Sequence, residues 1–313
     1  MEWKVLVSPN TLLPVLDDYI HLLVEQGVEV ITPPDFTEYL SEDELIPLVH
    51  DIDGAICGDD RYTDRVLNKA KKLRVLSKWG EGLDAIDLEA SKRRGIAVYR
   101  TAGALTNPVA DTVMAHVLAF ARNVMSKDAS MKHGEWQKFP SVTLRESVLG
   151  IVGLGKIGKA VARRATSFGM EVIGCDIRSI SSEDLRENGI SMESFSEVLR
   201  RSDFLSINCD LNPSSVQLIG EDELNLMKES SVLINTARGE MIDETALVSA
   251  LEKQSIAGAG LDVFEKEPLS IDSPLRQMSS CLLSAHNANA SPATFDYIHR
   301  KTIDNVLRGL RGE

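Results

Sequence analysis

The chain has 313 residues, 43% of them hydrophobic and 26% charged, enough for a substantial core and sized for about two domains. Forty-seven acidic against 34 basic residues leave a net charge of −13, which argues against nucleic acid and anionic membrane as partners. The most apolar helix pattern, residues 108–121, carries Asp111 and His116 and is too short for a bilayer. The N-terminus runs straight into a strand-like segment instead of a signal peptide. Cys57, Cys175, Cys209 and Cys281 lack C-x-x-C spacing, so reduced thiols in a cytoplasmic protein without a metal site are expected.

In chain order, short apolar runs at residues 4–8, 28–32, 54–57, 74–78 and 96–99 alternate with helical patterns. Ser41-Glu42-Asp43-Glu44 reads as a capping box opening one of these helices. The basic runs 69–74 and 92–94 read as solvated helix ends. A long helix follows, with Asn107 as N-cap and Pro108 at its first position. A second series of strands is predicted at 148–152, 171–175, 204–208, 232–236, 257–261 and 281–284, and a final helix at 292–310. Strands alternating with helices imply parallel sheets covered on both faces. The reading is α/β: two doubly wound parallel-sheet domains with a cleft between them.

Residues 148–152 form a buried strand, followed by Gly153-Leu154-Gly155-Lys156-Ile157-Gly158 and a helix over 159–168. A G-x-G-x-x-G segment between strand and helix binds a dinucleotide: Gly153 permits the turn, Gly155 admits the pyrophosphate, and Gly158 lets helix and strand pack. Lys156 and Ile157, between the glycines, fall on the cofactor side, and the amino end of the helix that follows offers free N–H groups and a dipole that favour phosphate. Asp176 ends the next strand and suits the ribose hydroxyls of NAD, with Arg178 two residues later as the feature that keeps NADP open.

Three later segments bear on chemistry. Asn235-Thr236-Ala237-Arg238-Gly239-Glu240 places an arginine at a strand's carboxyl end, where its planar fork suits a carboxylate and a carbonyl oxygen. Asp262-Val263-Phe264-Glu265-Lys266-Glu267-Pro268 follows the next strand, and Ser284-Ala285-His286-Asn287 the last. Hydride transfer to a ketone leaves charge on oxygen, and a histidine beside a carboxylate supplies the proton. In this order the segments resemble the D-isomer-specific 2-hydroxyacid dehydrogenase family, over nearly the whole chain. The resemblance implies a Rossmann cofactor domain over residues 103–289 and a flavodoxin-like substrate domain from 1–102 and 290–313. It implies that Arg238 binds the substrate carboxylate, that Glu267 supports His286, and that His286 is the general acid/base. Thr236, Ala237 and Asp262 fall on the cofactor side, Asp262 being a structural residue or a partner near the nicotinamide.

Lys78-Trp79-Gly80-Glu81-Gly82 resembles the family's substrate loop, whose G-x-G backbone offers amides to the carboxylate. By the same resemblance Lys78, with Arg61 as a second cation, stands where phosphoglycerate dehydrogenases hold a substrate phosphate. The expected activity is therefore NAD-dependent oxidoreduction of a D-2-hydroxy/2-keto acid on the phosphoglycerate dehydrogenase-like side of the family. The alternatives are a glyoxylate/hydroxypyruvate reductase and a non-catalytic NAD(H)-sensing protein like the dehydrogenase-like corepressors. Ala285 replaces the family's proline, Asn287 and Asn289 add amides, and Asp59, Asp60 and Glu81 bring negative charge to the presumed anion site, which either forms ion pairs with Arg61 and Lys78 or selects a less anionic substrate. A homodimer through residues 108–136 is implied, and a C-terminal serine-sensing domain is not expected.

Overall fold

The computed structural model describes residues 2–36 and 38–313. It divides into two compact units, Met1–Leu105 with Ala290–Glu313, and Thr106–Asn289. Four helices matter below: α1 (Glu42–Leu48), α2 (Thr106–Ala121), α3 (Lys156–Ser167) and α4 (Pro292–Arg311). No helix among the described residues is long and apolar enough to cross a membrane.

In the first unit, β1 (Trp3–Val7), β2 (Val28–Ile31), β3 (Gly54–Cys57), β4 (Val75–Lys78) and β5 (Ala97–Arg100) form one parallel sheet in the order β2-β1-β3-β4-β5, the flavodoxin-like arrangement. β3 and β4 are buried at every residue, as central strands covered on both faces must be. α1 opens with the capping box, the Glu44 carboxylate accepting from the Ser41 N–H at 2.8 Å and its Oγ at 2.6 Å. α4 lies along β3, β4 and β5. Its closest approach is at Gly309, where a Cβ would stand 2.3 Å from Val75 Cγ2.

The second unit carries β6 (Val148–Val152), β7 (Glu171–Cys175), β8 (Ser191–Met192), β9 (Phe204–Ile207), β10 (Val232–Asn235), β11 (Gly258–Leu261) and β12 (Cys281–Leu283). All are parallel, in the order β12-β11-β10-β9-β6-β7-β8, which is a Rossmann sheet extended by one strand. Alternating side chains feed two apolar clusters, one around Leu205, Ile207 and Leu233, the other around Ile151, Val161 and Ile234. The strand order reverses between β6 and β9, and ligands of such sheets bind outside the carboxyl ends of the strands at that point.

Three local expectations need correction. β8 was not foreseen, because both of its residues are exposed and carry no apolar pattern. α2 begins at Thr106, so Asn107 and Pro108 lie within its first turn; the missing N–H of Pro108 is harmless there, and Asn107 Oδ1 accepts from Arg164 Nη2 at 3.2 Å. α3 begins at Lys156 with Gly155 as its N-cap, ahead of the expected start at Lys159, so half the glycine segment is already helix.

The close seat of α4 predicts that Gly309→Ala destabilises the first unit by about 1–3 kcal/mol through overpacking. Urea unfolding reads this directly, and an unchanged midpoint would show that Val75 yields without strain.

Candidate functional site

The glycine loop is shaped by what a side chain would strike. Gly153 has φ +94°, and a Cβ on it would lie 2.5 Å from the Cys209 nitrogen. One on Gly158 would lie 2.1 Å from the Gly153 oxygen, so strand, turn and helix meet at van der Waals limit. Gly155 differs: the nearest atom to a Cβ there is Arg178 Nη2, 3.9 Å away, so the start of α3 is open. Lys156 is exposed, and Ile157 packs on the Ile151 cluster. Asp176, just past β7, accepts from the Leu154 N–H at 2.8 Å and from Arg178, whose guanidinium holds the Asp176 carboxyl down at about 2.

At the ends of β9 and β10 two buried polar atoms, Asn208 Oδ1 and Thr236 Oγ1, have no hydrogen-bond partner. Asn208 is fixed by its Nδ2, which donates to Ser206 O at 3.1 Å and Ser206 Oγ at 2.9 Å. Buried polar groups are seldom left unpaired, so both atoms hold unused hydrogen-bonding capacity at the strand ends. The sequence reading included Thr236 and missed Asn208, although a polar residue directly after a Rossmann strand was the available signal.

Asn235 shapes the turn that carries Arg238. Its Oδ1 accepts from the Ala237 N–H at 3.0 Å and its Nδ2 donates to Arg238 O at 2.8 Å, while Arg238 Nη1 donates to Ala237 O at 2.9 Å. Gly239 then lets this turn press on the segment after β11, since a Cβ would fall 1.8 Å from the carbonyl carbon of Phe264. In that segment Glu267 Oε1 accepts from the Phe264 N–H at 3.0 Å, which aims Oε2 at His286 Nδ1, 2.7 Å away. Arg238, Glu267 and His286 are thus carried by loops braced against one another within the second unit.

His286 adopts φ +46°, a left-handed conformation that side-chain-bearing residues enter only when held. The hold is Asp262. Its backbone oxygen accepts from the His286 N–H at 2.7 Å. Its carboxylate accepts from Ser284 Oγ, from the Asn287 N–H at 3.0 Å and from the Ala288 N–H at 2.8 Å. Asp262 is 1% exposed, its carboxylate taken up by the histidine loop. Thr112 of α2 braces the same loop, donating to Ala288 O at 3.0 Å.

In the first unit Lys78 is 3% exposed, with Nζ 2.7 Å from Asp59 Oδ1. Arg61 lies over the Tyr39 ring at 5.4 Å. Gly80 has φ +116°, and its N–H donates to Thr101 Oγ1 at 3.1 Å. Glu81 Oε1 accepts from the Gly103 and Leu105 amides at 2.8 and 3.4 Å, so its charge organises the 101–105 turn. Gly82 follows within the same loop. Asp60 is buried, and its carboxylate accepts from Ser8 Oγ, Leu40 N–H and Gly58 N–H; burial pushes its carboxyl above the usual range.

The family model for the D-isomer specific 2-hydroxyacid dehydrogenase, NAD binding domain, matches residues 114–288. The chain belongs to this family. It is 38% identical over 281 residues to a glyoxylate reductase of Korarchaeum cryptofilum, covering 87% of this chain and 84% of that one. It is 35% identical over 315 residues to a D-3-phosphoglycerate dehydrogenase of Methanocaldococcus jannaschii, covering 99% of this chain and 58% of that one. Among solved structures, the D-lactate dehydrogenase of Aquifex aeolicus complexed with NAD and lactic acid superposes with a TM-score of 0.85 at 26% identity, covering 98% of this chain and 96% of that chain.

The chain is an NAD-dependent D-2-hydroxyacid dehydrogenase, and its residues fit the cofactor. The open helix start at Gly155 can receive a pyrophosphate, and the two orphaned oxygens on Asn208 and Thr236 wait for polar partners. The histidine loop yields a sharp test. In Asp262→Ala the Asn287 and Ala288 amides lose their acceptor, at about 1–3 kcal/mol for each buried donor left unmade. Misplacement of His286 should then lower kcat by about 10²-fold while NADH affinity changes little. Full turnover in a folded Asp262→Ala protein would remove Asp262 from any positioning role.

Proposed function

We propose that this dehydrogenase reduces a small unphosphorylated 2-keto acid of the glyoxylate or hydroxypyruvate type, using NADH. The observation that carries this reading is that Lys78, itself buried, is already paired with a half-exposed Asp59. A phosphorylated substrate needs cations whose charge is not already balanced, and Lys78 is both enclosed and neutralised. Arg61, stacked on Tyr39, does not replace it. This choice departs from the phosphoglycerate-like expectation, in which Lys78 and Arg61 stand at a substrate phosphate.

In the proposed reaction Arg238 holds the substrate carboxylate and draws electron density from the C2 oxygen. His286 presents Nδ1 to Glu267, which fixes the ring's orientation, and Nε2 delivers the proton to the C2 oxygen. Glu267 balances the imidazolium before transfer and keeps Nδ1 protonated after it. NADH, when bound, supplies the hydride to C2. Gly153, Gly155, Lys156, Ile157 and Gly158 are assigned to its pyrophosphate, Asp176 to the adenosine ribose, and Asn208 with Thr236 to the nicotinamide half. In the substrate loop the Gly80 N–H is already engaged by Thr101, so the amides of Glu81 and Gly82 are assigned to the substrate anion.

The deciding measurement is NADH oxidation by the purified protein with glyoxylate, hydroxypyruvate and 3-phosphohydroxypyruvate compared at equal concentrations. The unphosphorylated acids should give the higher kcat/KM, and a preference for the phosphorylated one would overturn the substrate class. On the preferred acid, His286→Ala should lower kcat by about 10²–10⁴-fold, the usual size of a general acid's contribution. NADH binding measured by its fluorescence should stay unchanged in that variant; retained turnover would assign the proton to another group.

A further inference from the structure

Asp176 is already saturated. Its Oδ1 accepts from the main-chain N–H and the Nε of Arg178, at 2.8 and 3.0 Å. Its Oδ2 accepts from the Leu154 N–H and from Arg178 Nη2, at 2.8 and 2.9 Å. A carboxylate offers about four lone-pair sites, and these four bonds fill them. The Asp176 side chain is accordingly only 5% exposed, under an arginine side chain that is 63% exposed.

The four bonds differ in how easily they can be given up. Two come from main-chain amides, fixed by the glycine loop and by the course of the chain after β7. The other two come from one guanidinium on a flexible, largely solvated stem. That same guanidinium overhangs Gly155, with Nη2 3.9 Å from where a Cβ would stand. It therefore lies beside the mouth of the phosphate loop, across the ground where a dinucleotide's adenosine half would rest.

We propose that the Arg178 guanidinium is an internal competitor of the cofactor: it occupies the two acceptor positions on Asp176 that the adenosine ribose diol requires, and it withdraws when NAD binds. The inference rests on NAD being the cofactor and is independent of the substrate proposed above. While the fork on Asp176 stands, Arg178 is not available to a 2′-phosphate, and when it opens a phosphate still meets the Asp176 charge. One arginine thus weakens NAD binding without conferring NADP binding.

Equilibrium binding of NADH and NADPH to the purified wild-type protein and three variants, read by nucleotide fluorescence or calorimetry, tests this without turnover. Arg178→Ala should tighten NADH binding by about two- to fivefold, the order expected for an ion pair whose guanidinium stands largely in solvent. Arg178→Lys, which keeps a cation but loses the fork, should tighten it less. Asp176→Asn should raise affinity for NADPH relative to NADH, and the double variant Asp176→Asn with Arg178→Ala should lose that gain. Unchanged or weaker NADH binding in Arg178→Ala would overturn the proposal, because the guanidinium would then be a bystander or a cofactor contact. An NADPH gain that survives in the double variant would overturn the second half.

Discussion

The buried carboxylate of Asp262 holds the carboxyl edge of the second sheet together. An isolated buried charge is costly, and it is tolerated here because Ser284, Asn287 and Ala288 surround it with donors. The requirement works in both directions. The donors lie in the loop after β12 and the acceptor directly after β11, so the loop cannot relax without stranding the charge. His286 is forced into its left-handed turn between them, where Nδ1 meets Glu267 at 2.7 Å. Glu267 is aimed in turn by the Phe264 amide, in a segment that also seats the Arg238 turn through Gly239. The order of the residues assigned to chemistry follows from one satisfied charge that makes no contact with substrate in this account.

Parallel topology explains why so much of the site was legible. Most residues proposed for the site in the second unit stand at or just beyond a strand's carboxyl end: Gly153 after β6, Asp176 after β7, Asn208 after β9, Thr236 and Arg238 after β10, His286 after β12. Strands buried on both faces write themselves as apolar runs, so finding the runs located the edge. β8 failed this test because a short exposed edge strand buries nothing. The early start of α3 was hidden because Gly-Lys-Ile-Gly reads as loop, although Gly155 and the residues after it satisfy the geometry of a helix N-terminus.

The pairings of charges were not legible, for a different reason. Lys78 ends β4 and Asp59 follows β3, and they meet because the parallel register sets Cys57 beside Lys78. Sequence spacing carries no such register. Asp176 and Arg178 are two residues apart, yet only coordinates reveal that the guanidinium folds back to fill the carboxylate. For Lys78 the sequence left an ion pair as one of two readings, and for Arg178 it suggested no pair at all.

That distinction bears on selectivity in a protein of net charge −13. Anionic substrate and anionic cofactor must both be held by groups that the protein has not already neutralised. Lys78, 3% exposed, is neutralised by a half-exposed Asp59, and parting them would strand the buried ammonium, so Lys78 acts as part of a fixed wall. Arg178, 63% exposed, covers a buried Asp176, and water can take over the guanidinium when another donor replaces it, so it acts as a movable latch. The same chemical pairing therefore has opposite consequences at the two places, and solvent access to the cation decides between them.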